Sequence, residues 1–348
     1  MKKFIIAAPH PSTGISNKIK CILSVLRFCD HFSLKPLLYW PDNIMCPTKF
    51  SDLFETKIPQ LDEENFDKIK KTGDFSQCSS YADFINSNHE YSIFNTWRLM
   101  LFPEDIPKNF AEVLPDESGK NIDLEFERIP IKLRKEYLRY IKKLKPAKEV
   151  RRAVNPFSKK NNLINSIGVH IRRGDFINYW DGRGKVSSDE KFFEKMSEII
   201  AKNRKTKFFL ATDSKETQEK FIKKFGKRIV VYPNKDFQRN TEKSIKDAFV
   251  DMLLLSKTKY ILGTYLSTFT EIAWWFGGCK KKVEIIGDKN LMKEVSEKNK
   301  ARLNSKTFKG YIKGFIRSIL KKSFLLGKIH EKLEYRQFKK QFSSQYSS

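Results

Sequence analysis

Between residues 166 and 288, five short apolar runs are separated by four helical ones. The apolar runs lie at 166–172, 207–213 ("KFFLATD"), 228–233 ("RIVVYP"), 260–264 ("YILGT") and 282–288 ("KVEIIGD"). The helical runs lie near 189–203, 215–225, 244–257 and 268–277. Strands that are apolar throughout must be covered on both faces, and helices between successive strands supply that cover. The pattern predicts a parallel sheet in an α/β fold. Ligands of such sheets sit beyond the carboxyl ends of the strands, so chemistry is expected just after each run.

The chain opens in the same way. "KKFIIAAP" (2–9) reads as a strand and "STGISN" as a turn. Residues 17–32 then set Ile19, Ile22, Leu23, Leu26 and Cys29 in a helical stripe, and "KPLLYWPDN" returns as a strand. From about 42 to 130 the text is mixed, and "FSQCSSYADF" and "SIFNTWRLMLFPED" show little periodicity, so this region is expected to be loop-rich. "IPIKLRKEYLRYIKKLKP" (129–146) is an amphipathic helix that ends before Pro146 and joins two halves. A length of 348 residues suits two domains. The expectation is two Rossmann-like α/β domains facing a cleft, over 1–145 and 146–297, with a basic helical tail over 298–348.

Charge narrows the partners. The net charge of +27 calls for something anionic: nucleic acid, a membrane surface or a phosphate-bearing substrate. Lys298 to Phe342 holds 14 Lys and Arg against Glu331 and Glu334. Within that tail, residues 308–329 set Phe308, Tyr311, Ile312, Phe315, Ile316 and Ile319 at helical spacing among lysines. Such a helix lies on anionic lipid, or docks on the protein with its lysines solvated. No apolar run is long enough to span a bilayer, and the opening run Phe4 to Ala8 is too short for a signal peptide. The expected location is the cytoplasm, with peripheral attachment to the inner membrane face through the tail. The five cysteines are widely spaced, with no zinc pattern, and fit buried thiols.

"IGVHIRRGDF" (167–176) ends a buried strand in charge. Side chains alternate faces along a strand, which puts His170 and Arg172 on one side and Ile171 and Arg173 on the other. An arginine there can grip a diphosphate through its planar fork, or pair with a structural carboxylate. For Arg173 the structural pairing is favoured, to Asp175 or to a helix carboxylate. The "RGD" tripeptide is not read as an adhesion signal, because it closes a buried strand. Asp251, followed by Met252, Leu253, Leu254 and Leu255, needs partners for its carboxylate. Guanine suits it, with two parallel donors. Asp247 fits an early turn of the same helix. In "GTYLSTFTEIAWWFGG", Thr268 and Glu271 have capping-box spacing, and Ser267 and Thr268 open a helix N-terminus suited to an anion. Trp274 and Trp275 read as core. Gly14 and Asn17 lie in an equivalent turn in the first half, where glycine permits close backbone approach. Asp213 follows a strand end and either caps a helix or faces a ligand.

The chain has no Walker loop, G-x-G-x-x-G, G-x-S-x-G, H-E-x-x-H or D-x-D. No metal site is expected, and a departing diphosphate would rely on arginines and helix N-termini.

Taken in order, "IGVHIRRGDF", "FLATDS" and "DMLLLSKTKYILGTYLSTFTEIAWWFGG" resemble the fucosyltransferase superfamily. That group includes bacterial α1,2-fucosyltransferases, the α1,6 and nodulation-factor enzymes and the protein O-fucosyltransferases. "TGISNKIKCILSVLRFCDHFSLKPLLYWPDN" is similar to their N-terminal segment, and "KPAKEVRRAV" to the helix before the arginine strand. The resemblance implies a GT-B-like fold, a C-terminal domain that binds GDP-fucose, an N-terminal acceptor-side domain, and inverting, metal-independent transfer. It implies that Arg172 contacts the diphosphate, that His170 and Asp251 lie near guanine, and that Ser267 and Thr268 form the phosphate-side loop. Arg173 matches a less constant second arginine. Asp175, Asp181 and Asp213 are the candidate bases. Residues 45–130 match no subfamily, which leaves the acceptor glycan open, lipid-linked acceptors included.

The expected partners are therefore GDP-fucose as donor substrate, a glycan acceptor and an anionic membrane surface. No nucleic acid and no separate cofactor are expected. The competing readings are a different nucleotide-sugar donor, a basic nucleic-acid-binding protein and a non-catalytic glycan-binding relative.

Overall fold

Two five-stranded sheets, every strand parallel within its sheet, organise the chain. The computed structural model describes residues 3–41, 43, 45–79, 81–96, 99–105, 121–122, 131–178, 182–238 and 240–298. The first half contains β1 (Phe4–Ala7), α1 (Ile15–Phe32), β2 (Lys35–Tyr39), α2 (Phe50–Leu53) and β3 (Gln60–Leu61). It continues with α3 (Glu63–Thr72), β4 (Phe75–Cys78), α4 (Tyr81–Ile85) and β5 (Tyr91–Phe94). A small antiparallel pair, β6 (Leu99–Met100) and β7 (Asn121–Ile122), precedes α5 (Ile131–Lys143). The second half contains α6 (Lys148–Lys160), β8 (Ile167–Ile171), α7 (Arg183–Val186), α8 (Asp189–Lys202) and β9 (Phe208–Thr212). It ends with α9 (Lys215–Phe225), β10 (Ile229–Val230), α10 (Glu242–Leu255), β11 (Ile261–Thr264), α11 (Thr268–Phe276) and β12 (Val283–Ile286).

The strand orders are β3-β2-β1-β5-β4 and β10-β9-β8-β11-β12. In each sheet the first strand is central, with strands added on both sides of it, so the order reverses beside β1 and beside β8. Such switch points leave a crevice at the carboxyl ends of the strands. The helix starts follow from local chemistry. Ser188, Ser214 and Thr241 cap α8, α9 and α10 by accepting bonds from Lys191, Thr217 and Ser244 N–H. Asp62 caps α3, which stops at Gly73 with φ 72°, a left-handed conformation that glycine takes without strain.

The five strands expected in the second half are all present. The loop-rich expectation for 42–130 is corrected: β3, β4, β5 and α3 lie there and complete the first sheet. The periodicity fails because β4 and β5 are four residues each and carry Ser76, Gln77 and Ser92 between their apolar side chains. The expected tail, apart from Lys298, lies outside the described residues. Among the described residues no helix is long and apolar enough to cross a membrane, and all five cysteines are buried thiols.

α1 departs from its sequence pattern. Its apolar stripe predicts a solvated opposite face, yet Lys18, Lys20 and Arg27 are buried. The helix packs on β1 and β2 with one side and on α5 and α11 with the other. Lys20 Nζ bonds Glu271 Oε2 on α11 at 2.6 Å, both side chains fully buried. Arg27 bonds Asp105 with both Nη atoms, at 2.6 and 2.8 Å, and Glu136 at 2.9 Å. Lys18 Nζ donates to the Pro41 carbonyl at 2.9 Å and lies over the Trp40 ring. One apolar cluster runs from α1 through α5 into α10 and α11, with rings meeting at Phe54–Phe249 and Tyr137–Trp275. Residues 1–296 form one compact unit.

Candidate active site

The β8–β9 register pairs His170 with Ala211 and Ile171 with Thr212. Continued by one residue, it sets Arg172 beside Asp213. Arg172 Nη1 donates to Asp213 Oδ2 at 2.6 Å, and Nη2 donates to Asp175 Oδ1 at 2.8 Å. The other Asp213 oxygen accepts the Arg173 backbone N–H at 2.7 Å. Asp213 therefore holds the chain just past β8, while Ser214 performs the capping. Thr264 Oγ1, at the end of β11, donates to the His170 carbonyl and accepts the Arg172 N–H, both at 2.9 Å. Arg172 is thus held from both neighbouring strands, its guanidinium by Asp213 after β9 and its backbone by Thr264 of β11. Gly174, with φ 40°, allows the sharp turn that brings Asp175 back to Arg172.

Strand alternation holds. Ile171 faces the cluster formed with Phe192, Met196 and Phe221 of α8 and α9, and Arg173 turns the same way. Its Nε and Nη2 both reach Asp189 Oδ1 at the start of α8, and Nη1 donates to the Arg172 carbonyl at 2.9 Å. Of the two structural partners expected for Arg173, the helix carboxylate is the one found. Burial opposes charge on Asp189, but bonds from Lys220 and Arg173 hold its carboxyl below the usual range. His170 faces α11, where Nδ1 meets Thr270 Oγ1 at 2.8 Å and the ring stacks on Phe269 at 4.6 Å. Burial pushes its pKa down to about 3, so the imidazole is neutral at physiological pH.

Asp251 is buried on α10. Its Oδ2 accepts from Lys235 Nζ at 2.9 Å, and its Oδ1 has no hydrogen-bond partner among the described residues. Burial pushes the carboxyl up to about 6 against the pull of Lys235. Lys235 also reaches the Thr212 carbonyl at 3.4 Å, which joins Asp251 to the end of β9 beside Asp213. Sequence reasoning missed Lys235; its signal is a lysine directly after a strand run, in "VVYPNKDF". Asp247, one turn before Asp251, accepts from the Asp236 N–H and from Lys243.

The capping-box reading of Thr268 and Glu271 is corrected. Ser267 is the N-cap residue of α11 and makes no side-chain cap bond. Glu271 lies in the first turn but is drawn inward to Lys20, with Oε1 accepting from Trp275 Nε1 at 3.3 Å. A buried lysine outcompetes the helix's own amide because a charged pair in a dry setting gains more than a neutral cap bond. Leu266, just before Ser267, has φ 54°, a strained conformation for a bulky residue. The site thus joins His170, Arg172, Arg173, Asp175, Asp213 and Asp251 through direct contacts or through Lys235, with Ser267 and Thr268 at the end of the adjacent strand.

Gly14 and Asn17 stand elsewhere, at the start of α1 beyond β1. Gly14 is an N-cap with no side-chain bond, and Asn17 Oδ1 is buried with no partner among the described residues. Among the described residues no hydrogen bond joins either to the Arg172 cluster. Asp181 lies outside the described residues. Among those residues, no group of three or more His, Cys, Asp or Glu could hold a metal ion.

No family model matches the chain. GDP-fucose protein O-fucosyltransferase 2 of Homo sapiens and of Pan troglodytes each match at 30% identity over 104 residues, 30% of this chain and 24% of theirs. The chain spans about a quarter of the length of these curated relatives. Among solved structures, NodZ α1,6-fucosyltransferase soaked with GDP-fucose gives a TM-score of 0.48 at 16% identity, covering 79% of this chain and 93% of that one. An arginine-to-lysine variant of Arabidopsis thaliana FUT1 in complex with GDP gives 0.52 at 14% identity, covering 83% and 72%. This last likeness is one of fold, and with the two parallel sheets it establishes a GT-B-like α/β architecture.

Proposed function

We propose that the chain transfers fucose from GDP-fucose to a glycan acceptor, with inversion and without a metal ion. The observation that carries this reading is the pairing of two features at one end of the second sheet. Arg172 is an arginine fixed by two carboxylates, and Asp251 is a buried carboxylate with one oxygen unpartnered. Guanine offers N1–H and an exocyclic amine to a single carboxylate, and in this reading Asp251 accepts them, its unpartnered oxygen supporting the assignment. The acceptor hydroxyl attacks the sugar's anomeric carbon as the bond to the diphosphate breaks, and GDP leaves with the bonding electrons. Arg172 stabilises the charge that grows on the departing diphosphate. Asp175 takes the acceptor proton as general base. Ser267, Thr268 and the first turn of α11 offer hydroxyl and N–H groups to phosphate oxygens.

The test is a panel of GDP- and UDP-sugars incubated with glycan acceptors, followed by mass spectrometry of the products. A deoxyhexose increment from GDP-fucose alone is expected. Transfer from a UDP-sugar, or none from any donor in the panel, refutes the reading.

A further inference from the structure

All strands of the second sheet are parallel, so the five segments that lead into them meet at one pole, opposite the end that carries Arg172 and Asp213. These segments are 157–166, 201–207, 222–228, 256–260 and 277–282. Together they hold fifteen Lys and Arg and no Asp or Glu. Thirteen of the fifteen are exposed, the exceptions being Arg228 and Lys281. None forms an ion pair among the described residues, although ion pairs are frequent elsewhere on this chain.

Helix C-termini favour cations, and Lys159, Lys160, Lys202, Lys223 and Lys224 are in or at last turns. That effect leaves Lys205, Lys207, Lys257, Lys259, Lys280 and Lys282 unexplained, because they lie in connecting loops. The equivalent pole of the first sheet is different: Lys3 pairs with Glu90, and His89 with Asp74. The opposite pole of the second sheet is different too, with Asp175, Asp213, Asp236 and Asp288 following its strands.

A second observation falls on the same pole. Ile164, in the turn before β8, is 71% exposed, the most exposed large apolar side chain among the described residues. Ile222, on α9, adds a second apolar side chain at the same pole. Isoleucines set among unpaired lysines gain nothing from water but gain by entering a bilayer interface.

We propose that this lysine pole is a docking surface for an anionic phospholipid membrane. Five strands about 4.8 Å apart make an edge roughly 20 Å wide, which matches a plane rather than a cleft. Thirteen of its cations are lysines, point charges suited to a diffuse anionic surface, and two are the arginines that would favour fork-like recognition. Nucleic acid is the lesser fit. Phe225 is buried and Phe157 packs on Phe209 and Tyr232, leaving no fully exposed ring at the pole for bases to stack on. The residues of this surface are other than those of the basic tail, and membrane contact through them does not require the proposed transferase activity.

The test uses the full chain, tail included, in sedimentation with vesicles of phosphatidylcholine containing phosphatidylserine. A variant with Lys205→Glu, Lys207→Glu, Lys259→Glu and Lys282→Glu should melt as the native protein does, because all four side chains are exposed and form no ion pair among the described residues. It should bind the vesicles on the order of 10³-fold less well, since each lysine near such a surface contributes roughly a factor of five. Ile164→Ser alone should weaken binding several-fold. Wild-type binding of equal strength to vesicles of phosphatidylcholine alone overturns the proposal. So does unaltered binding by the fourfold variant, which would assign the membrane contact to the tail. Tighter binding of wild type to a nucleic-acid homopolymer than to the vesicles, lost in the fourfold variant, overturns it in favour of nucleic acid.

Discussion

Replacing Arg172 with lysine keeps the charge and removes the planar fork. In the native site its two Nη atoms hold different carboxylates, Asp213 at 2.6 Å and Asp175 at 2.8 Å. One ammonium cannot occupy both positions. A charge-assisted bond of this kind is worth about 1.5–3 kcal/mol when buried. The three side chains are 18–29% exposed, and screening reduces the loss to roughly 1 kcal/mol. That corresponds to a fall of about 2 °C in melting temperature for a unit of this size. Turnover should fall much further, by about 10²- to 10³-fold, because the lost interaction strengthens as charge develops on the diphosphate. Arg173→Lys should show the opposite balance. Its guanidinium is buried against Asp189, so stability drops by about 2 kcal/mol or more while turnover changes little. The assay is steady-state kinetics with a working acceptor, run beside melting curves for both variants. If Arg172→Lys retains near-normal turnover and Arg173→Lys loses it, the assignment of roles by strand face is wrong.

Other consequences can be checked with the same protein. Asp251→Asn should abolish the thermal stabilisation given by GDP, and UDP and ADP should give none to the wild type; equal shifts from all three nucleotides would remove the guanine argument. The pH dependence has a defined sign. Asp251 titrates near 6 in the fold, above an ordinary aspartate near 3.9, so its contribution to stability is fully present below about pH 4 and is lost as pH rises through 6. GDP binding needs the carboxylate and runs the other way, so the GDP-induced shift should grow between pH 5 and 7; a shift independent of pH contradicts this. Glu271→Gln should cost about 3–5 kcal/mol in denaturant unfolding by leaving Lys20 buried without its carboxylate, and adding Lys20→Met should restore most of it. A cost below about 1 kcal/mol would show the pair to be dispensable. Excess EDTA should leave transfer unchanged, and a strict divalent-metal requirement would contradict the mechanism.

What the sequence made legible was local. The alternation of strands and helices after residue 166 carries its own period, and "IGVHIRRGDF" shows both a strand and the charge beyond its end. The face assignment of His170 and Arg173 needed only the pleat. What stayed hidden depended on partners distant in sequence. Glu271 had the spacing of a cap residue, and nothing nearby revealed that Lys20 would claim it. The apolar stripe on α1 shows in the sequence, but its other face is polar in sequence and buried in the fold, because α5 and α11 lie against it. The strands β4 and β5 are too short to establish a period. Lys235 follows a strand run, but its partner is sixteen residues further on, and only the packing of α10 against β9 brings the two together.

The bond between Lys20 and Glu271 also sets an order of events on the ribosome. The two residues are 251 positions apart. At about 5–20 residues per second, roughly 10–50 s pass between synthesis of the lysine and synthesis of its carboxylate. Until α11 is made, α1 can have the sheet on one side and α5 on the other, but nothing that carries a carboxylate to Lys20. A lysine bound for a dry interior must stay in water until its partner is made, so the first half cannot close early around α1. The nascent first half should therefore remain open to protease until residues beyond 271 have emerged, and then become protected together with the second half.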